Sequence, residues 1–253
     1  MWSFLYGKNH GKVEIILDTA PARSAELLAQ DRVDAALVPV IAYQMIPGVR
    51  LIPDVCVGAK ERVRSVCLVT KGEALTDVRS VSLDISSRTS VVLTKIIFRE
   101  FLGFEPQWRD AKPDLDAMLT ASDAALLIGD PALALSEPAA AGDPTRRTFD
   151  LAELWHGHTG LGFVFAMWMT LRDSCPIDLA AARDEGLVHI DEIVSNYETQ
   201  ITLGRDELKE YLSENISYSV SDSMQRGMAL YFELAQKNGL IDKNKPLDFL
   251  HYS

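Results

Sequence analysis

The chain has 253 residues, 47% of them hydrophobic, and a formal net charge of −11 at pH 7. This length suffices for one large domain or two smaller lobes, and the hydrophobic content argues against a disordered protein. The acidic balance argues against nucleic-acid binding, which requires a basic face. The longest apolar runs, such as residues 162–169, are too short to span a bilayer, so no membrane association is expected.

Cysteine and histidine spacing gives no sign of a disulfide framework or a metal site. Cys56, Cys67 and Cys175 are widely separated, which is typical of reduced thiols in a cytoplasmic protein. His156 and His158 lie on a predicted loop without a third ligand, so we expect a solvated pair. The first seven residues lack the basic region and long apolar core of a signal peptide.

Strands and helices are predicted to alternate through the first two thirds of the chain. In chain order we expect the strand Lys12 to Asp18, the helix Pro21 to Gln30, the strand Asp34 to Val40, the strand Val78 to Leu83, a helix from Val91, the helix Asp114 to Ala121 and the strand Asp123 to Asp130. This alternation favours parallel sheets with helices on both faces. A surface loop is predicted from Pro138 to Arg147.

After Pro176 only helices are predicted: Asp178 to Glu185, Ile190 to Leu203, Arg205 to Asn215 and Ser221 to Asn238. The last of these carries an apolar face that we expect to pack in the core, formed by Met224, Met228, Tyr231, Phe232 and Ala235.

An Asp-Ala-Ala-Leu strand follows a helix twice, beginning at Asp34 and at Asp123, which suggests two lobes built on one plan. The apolar segments Ser65 to Thr70 and Phe163 to Trp168 are predicted to cross between them. We therefore expect residues 1–70 with 166–253 to form lobe 1 and residues 71–165 to form lobe 2. A ligand cleft should separate the lobes, because open sheets bind ligands beyond the ends of their strands.

The segment Asp84 to Ser90, with the sequence Asp-Ile-Ser-Ser-Arg-Thr-Ser, follows a predicted strand and opens a predicted helix. The strand is indicated by the alternation of apolar and polar residues in Val78 to Leu83, and the helix by the spacing of Leu93, Ile97 and Phe101.

This turn predicts a binding site for a carboxylate or a phosphate. It combines the unpaired amides of a helix N-terminus with the side chains of Ser86, Ser87, Arg88, Thr89 and Ser90. An ordinary capping segment is the alternative, in which Ser86 or Ser87 closes the first turn and the Arg88 side chain is solvated.

Two further strand ends, at Val40 and at Gly129-Asp130, are expected to face the same cleft. Asp130 precedes Pro131, and three roles are open for it: a general acid or base, a hydrogen-bonding group that orients a ligand, or a helix N-cap.

Taken together, these segments resemble the chorismate dehydratase family of the futalosine route to menaquinone. The resemblance covers nearly the whole chain and rests on 52–58, 63–69, Asp84 to Ser90, Asp123 to Leu133 and 159–166, and it continues through 211–216 and the final helix. It implies an α/β protein with the two-lobed type II periplasmic-binding-protein-like fold, doubly wound sheets and a helical C-terminal segment.

The resemblance implies that chorismate, a dicarboxylate, loses water to form 3-[(1-carboxyvinyl)oxy]benzoate without a metal or organic cofactor. Ser86 and Asp130 are the expected catalytic residues, and Ser86 to Ser90 with Gly129 are expected to bind the substrate. No catalytic base stands out, which fits a substrate carboxylate acting as the base. The oligomeric state stays open between a monomer and a homodimer.

The chain departs from the family at its start. Members begin with a strand and a Ser-x-Leu-Asn-type turn that supplies an active-site asparagine, then a helix like that at Met1 to Gly7. Neither the strand nor the asparagine has a counterpart here, which leaves the activity of this chain open and should expose unpaired strand edges. A misplaced start codon is favoured over a truncation or a degenerate paralogue. Ile85 replaces the family's usual threonine.

Two other functions remain as alternatives. One is a binding protein of an uptake system that captures a small carboxylate without converting it, since fold does not determine function. The other is the related 1,4-dihydroxy-6-naphthoate synthase, whose catalytic histidine would fall where this chain has Gly129-Asp130-Pro131.

Overall fold

The computed structural model describes residues 1–17, 21–135, 146–201 and 203–250. The strands in these ranges are β1 (Ala35–Pro39), β2 (Arg50–Ala59), β3 (Val66–Thr70), β4 (Ser80–Asp84), β5 (Gln107–Ala111), β6 (Ala124–Ile128), β7 (Arg147–Asp150) and β8 (Phe163–Thr170). The α-helices are α1 (Trp2–Leu5), α2 (Pro21–Ala29), α3 (Ala42–Met45), α4 (Arg88–Ile96), α5 (Leu115–Ala121), α6 (Asp130–Leu133), α7 (Leu151–Thr159), α8 (Leu179–Val188), α9 (Ile190–Tyr197), α10 (Arg205–Glu210) and α11 (Asp222–Lys237).

Two of the helices continue as π-helical turns, α4 into Ile97–Phe101 and α10 into Tyr211–Asn215. No helix in the described ranges is long and apolar enough to cross a membrane. The predicted loop from Pro138 to Arg147 lies outside the described residues except for its last two positions.

The strands form two sheets, and the pairing differs from the parallel sheets that the sequence predicts. The three-stranded sheet has the order β1-β8-β2 and is antiparallel throughout. The five-stranded sheet has the order β5-β4-β6-β3-β7, in which β4 runs parallel to β5 and β6 while β3 runs antiparallel to β6 and β7. The antiparallel strands β3 and β8 are the two at which the chain passes from one sheet to the other.

A core of buried aromatic side chains joins the elements of both sheets. The ring centroid of Trp155 on α7 lies 5.4 Å from that of Phe163 on β8, and Phe163 lies 5.0 Å from Tyr231 on α11. The predicted apolar face of the last helix is buried at each of its five positions, which confirms that this face packs in the core.

Two local predictions are wrong. Residues 12–17 form no strand, and Ile16 and Leu17 expose 54% and 68% of their surface, because an isolated segment has no neighbour to pair with its backbone groups. In the described ranges β1 pairs on one edge only, with β8. His156 and His158 lie on the helix α7 rather than on a loop, where the His158 ring stacks on Phe101 at 4.5 Å.

Gly227 lies where α11 closely approaches the backbone of Gly162. A Cβ atom at this position would lie 2.0 Å from the Gly162 carbonyl oxygen, which is backbone and cannot move away cheaply. We expect Gly227→Ala to lower the free energy of unfolding by about 1–3 kcal/mol, measured by urea denaturation.

Gly157→Ala is the matched control, since this helical position on α7 has no atom within 4 Å of the added Cβ. It should raise the free energy of unfolding by about 0.5–1 kcal/mol. Equal effects of the two substitutions would contradict the close approach of α11 to Gly162.

Candidate functional site

The turn between β4 and α4 has the strand–turn–helix geometry that the sequence predicts. β4 ends at Asp84 and α4 begins at Arg88. Ser87 is the N-cap, and its Oγ accepts a hydrogen bond from the Ser90 amide at 3.3 Å. Of the two capping residues considered, Ser87 therefore closes the first turn. The first-turn amides of a helix have no acceptor inside the helix and form its positive end.

The hydroxyls of this turn are less available to a ligand than the sequence suggests. Ser87, Thr89 and Ser90 are buried, and Ser87 Oγ is engaged in the cap. Thr89 Oγ1 accepts a hydrogen bond from the Ile41 amide at 3.4 Å. Ser86 is the half-buried member of the set. The amides of Ser86, Ser87 and Ser90 are bonded within the turn. A ligand here therefore meets the Ser86 side chain and the first-turn amides of Arg88 and Thr89.

Asp84 is the first residue of the predicted segment, but the sequence did not identify it as a residue of the site. Its Oδ1 accepts hydrogen bonds from the Ser86 amide at 2.9 Å and from the Ser86 hydroxyl at 2.7 Å. The residue is 1% exposed, and its Oδ2 has no hydrogen-bond partner among the described residues. An aspartate two residues before a serine is a signal for an Asx turn, which could have identified it.

The Arg88 side chain is directed away from the turn. Its Nη2 lies 3.1 Å from Oε1 of Glu26 on α2, and both side chains are partly exposed. An exposed ion pair of this kind contributes at most about 1 kcal/mol to stability. What Arg88 offers a ligand in this arrangement is its backbone amide, while its guanidinium is engaged at the surface.

The three predicted strand ends lie close together in the fold. Ile41, just beyond β1, donates its amide to Thr89 at the start of α4, so the end of β1 contacts the turn after β4. Leu83 of β4 pairs with Leu126 of β6 in parallel register, which places the carboxyl ends of both strands at one edge of the sheet. Residues after β6 therefore lie beside those after β4.

Gly129 directly follows β6 and has φ 65° and ψ −143°, a conformation that is essentially confined to glycine. Its amide donates a hydrogen bond to the Ser65 carbonyl oxygen at 2.8 Å, just before β3. A Cβ at this position would meet no atom within 4 Å, so the backbone conformation rather than lack of space requires the glycine.

Asp130 is not a helix N-cap, which corrects one of its three possible roles. The N-cap of α6 is Gly129, and Asp130 is the first helical residue, with an exposed side chain. The cap falls one residue earlier because the left-handed glycine ends the strand. Burial raises the pKa of the Tyr211 phenol, a hydrogen bond with Ser65 lowers it, and the charge of Asp130 raises it. Ser65 lies beside the start of α6, because its carbonyl oxygen accepts from the Gly129 amide, and its side chain hydrogen-bonds to Tyr211. The sequence did not indicate these two residues.

Tyr231 connects the last helix to the turn. Its hydroxyl donates a hydrogen bond to the Thr89 carbonyl oxygen at 3.0 Å, and burial raises the pKa of this phenol well above its ordinary value. The phenol therefore stays neutral and keeps its proton for this bond. Thr89 is therefore bonded to two other elements: its side chain to Ile41 just after β1, and its carbonyl oxygen to Tyr231 on α11.

A separate apolar cavity of about 340 Å³ lies between α1, α8 and the three-stranded sheet. Leu37, Trp168 and Tyr218 are among its lining residues, and none of the predicted site residues lines it. We assign the candidate site to the strand ends because the polar groups converge there. In the described part of the chain, no group of three or more His, Cys, Asp or Glu residues could hold a metal ion.

Comparison with known proteins finds similarity along most of the chain. A model of the menaquinone biosynthesis family matches residues 2–237. A chorismate dehydratase from Thermus thermophilus is 32% identical over 234 residues, covering 86% of this chain and 85% of the relative.

Solved structures share the fold at low identity. A protein from Archaeoglobus fulgidus is 18% identical with a TM-score of 0.61, covering 95% of this chain and 94% of that one. A Candida albicans protein with the generic periplasmic binding protein fold is 11% identical with a TM-score of 0.60, covering 94% and 87%. The fold class inferred from the sequence is thereby confirmed.

Tyr231→Phe tests how the turn is held. Removing the hydroxyl leaves the buried Thr89 carbonyl without this donor, so the free energy of unfolding should fall by about 1–3 kcal/mol in urea denaturation. Tyr6→Phe is the control, because the Tyr6 side chain is exposed. Removal of its hydroxyl should change the free energy of unfolding by less than about 0.5 kcal/mol. An unchanged midpoint for Tyr231→Phe would show that the Thr89 contact does not hold the turn.

Proposed function

The chain belongs to the menaquinone biosynthesis family, and we propose that within it the protein is a chorismate dehydratase. The proposed reaction converts chorismate to 3-[(1-carboxyvinyl)oxy]benzoate and water, which makes the enzyme a carbon–oxygen hydro-lyase. The observation that carries this proposal is the similarity to the Thermus chorismate dehydratase across most of both chains. We propose that it acts in the cytoplasm and needs no cofactor.

The candidate site has the chemistry that such a substrate requires. Chorismate carries a carboxylate on its ring and another on its enolpyruvyl arm. Backbone amides at a helix N-terminus suit a carboxylate, and the amides at the start of α4 lie at the edge where β1, β4 and β6 end. In this proposal chorismate lies in a cleft between two lobes, one built on the three-stranded sheet and one on the five-stranded sheet that includes β3, against Ser86 to Ser90 and Gly129.

Loss of water makes the ring aromatic, so the reaction is favourable overall and the protein mainly has to orient the ring. Preorganised amide donors do this without rearranging during the reaction. A substrate carboxylate serves as the base in this scheme, so the side chains need not supply one. Ser86 and Asp130 are the side chains proposed to take part in catalysis, both at the sheet edge that carries the turn.

A non-catalytic carboxylate-binding protein is the second candidate, because the shared fold is compatible with it as well. The periplasmic binding protein fold is common to this chain and to the Candida albicans protein. The fold alone does not decide between capture and conversion of the ligand.

Incubation with chorismate separates the two candidates. We expect the purified chain to form 3-[(1-carboxyvinyl)oxy]benzoate, detected as new aromatic ultraviolet absorbance and by a mass lower by one water. Heat-denatured protein is the control for spontaneous decay of chorismate. Saturable binding of chorismate without this product would contradict the dehydratase proposal and support the binding protein.

Asp130→Asn tests the proposed catalytic role of Asp130. The substitution removes the negative charge that Asp130 presents at the proposed site, so kcat should fall by at least about tenfold. Asp116→Asn is the matched control, because Asp116 is also an exposed aspartate in the first turn of a helix. That helix, α5, packs against β4 and β6 of the same sheet. If both variants keep full activity, Asp130 has no part in the reaction.

A further inference from the structure

The Ser86 hydroxyl points its one proton into the protein. Its Oγ donates to Asp84 Oδ1 at 2.7 Å, and the Ser86 amide donates to the same oxygen at 2.9 Å. A carboxylate oxygen only accepts hydrogen bonds, whereas a serine hydroxyl has one proton and two lone pairs. With the proton committed to Asp84, Ser86 Oγ meets a ligand with its lone pairs.

The environment of Asp84 keeps this arrangement in place. The residue is 1% exposed at the end of β4, so water does not compete for the carboxylate. Its Oδ2 has no hydrogen-bond partner among the described residues, so within them the two bonds from Ser86 to Oδ1 are the hydrogen bonds that stabilise this carboxylate. Turning the Ser86 proton toward a ligand would remove a charge-assisted bond from a buried carboxylate, which is unfavourable.

The ligand that meets Ser86 Oγ must therefore bring a donor. Both carboxylates of chorismate are ionised at neutral pH and accept only, and its ether oxygen also accepts. The hydroxyl at ring carbon C4, the group that leaves as water, is the one conventional hydrogen-bond donor of the substrate. The carboxylates are matched instead by the backbone amides at the start of α4.

We infer that Asp84 is a positioning residue, which holds the Ser86 hydroxyl as an acceptor for the C4 hydroxyl of chorismate. This inference rests on the proposed function. It assigns the Ser86 hydroxyl to a substrate group other than the carboxylate that the turn as a whole is predicted to bind. Ser86 thereby distinguishes the substrate from the product, because the product keeps both carboxylates and lacks the hydroxyl.

The test compares the two ligands in Ser86→Ala. Expected is a fall in kcat/KM for chorismate of about tenfold to a hundredfold, with an inhibition constant for the product that changes less than about threefold. Equal weakening of both ligands would show that Ser86 donates to a carboxylate and would overturn the inference. If the wild-type chain binds chorismate without converting it, the proposed function fails, and the two dissociation constants, measured by calorimetry, give the same comparison.

Asp84→Asn tests the positioning role through coupling. The amide oxygen of asparagine can still accept from Ser86 but without the charge, so we expect a smaller loss in kcat/KM than for Ser86→Ala. In the Ser86→Ala background the Asp84→Asn change should have no further effect on kcat/KM. An additive loss in the double variant would mean that Asp84 acts only on the structure, and would contradict the inference.

Ser82→Ala is the matched control for these variants. Ser82 is a buried serine of the same strand, and its hydroxyl bonds to the Met118 carbonyl oxygen and to Ser122, away from the turn. It should leave kcat/KM and the product inhibition constant within about twofold of the wild type. A loss in Ser82→Ala that equals the loss in Ser86→Ala would attribute the effect to the strand, against the inference.

Discussion

The buried Asp84 carboxylate and the capped first turn of α4 determine how the candidate site is presented. Asp84 binds the Ser86 amide and hydroxyl, and Ser87 then caps the helix. Thr89, two residues later in the same turn, accepts a hydrogen bond from the Ile41 amide at its Oγ1 and one from the Tyr231 hydroxyl at its carbonyl oxygen. The segment Ser86 to Ser90 is thus held by Asp84 of its own strand, by Ile41 at the end of β1 and by Tyr231 on α11. Its first-turn amides point along the helix axis.

A segment rich in Ser and Thr therefore does not present a surface rich in hydroxyl groups. Most of the side chains that make the turn look like a polar ligand site stabilise the turn itself. Ser87 and Thr89 are buried and bonded to backbone amides of this chain. The backbone amides and the half-buried Ser86 are left to meet a substrate, and the direction of the Ser86 proton decides which substrate group it can meet.

Local features were predictable from the sequence because they depend on near neighbours along the chain. The strand ending at Asp84, the Ser87 cap and the apolar face of α11 follow from periodicity and capping preferences. The partners of Thr89 were not predictable, since Ile41 and Tyr231 lie far from it in sequence and meet it only in the folded chain. The exposed first-turn position of Asp130 depends on the left-handed backbone of Gly129, which residue preferences indicate only weakly.

The direction in which the strands pair could not be predicted from the alternation of strands and helices along the sequence. Strands joined through helices run parallel, as β4, β5 and β6 do, but a strand that carries the chain from one sheet to the other enters against its neighbours. Residues 12–17 show the same limit, since an apolar pattern forms a strand only where a neighbour supplies hydrogen bonds.

A crystal structure of the chain with 3-[(1-carboxyvinyl)oxy]benzoate, the proposed product, tests most directly how the turn after β4 binds a ligand. We expect one carboxylate of this molecule at the amides that begin α4, beside the ends of β1 and β6. Ser86 Oγ should stay within hydrogen-bond distance of Asp84 Oδ1, with no ligand carboxylate oxygen within that distance of Ser86 Oγ. A ligand bound elsewhere, or a carboxylate accepting the Ser86 proton in place of Asp84, would contradict this expectation.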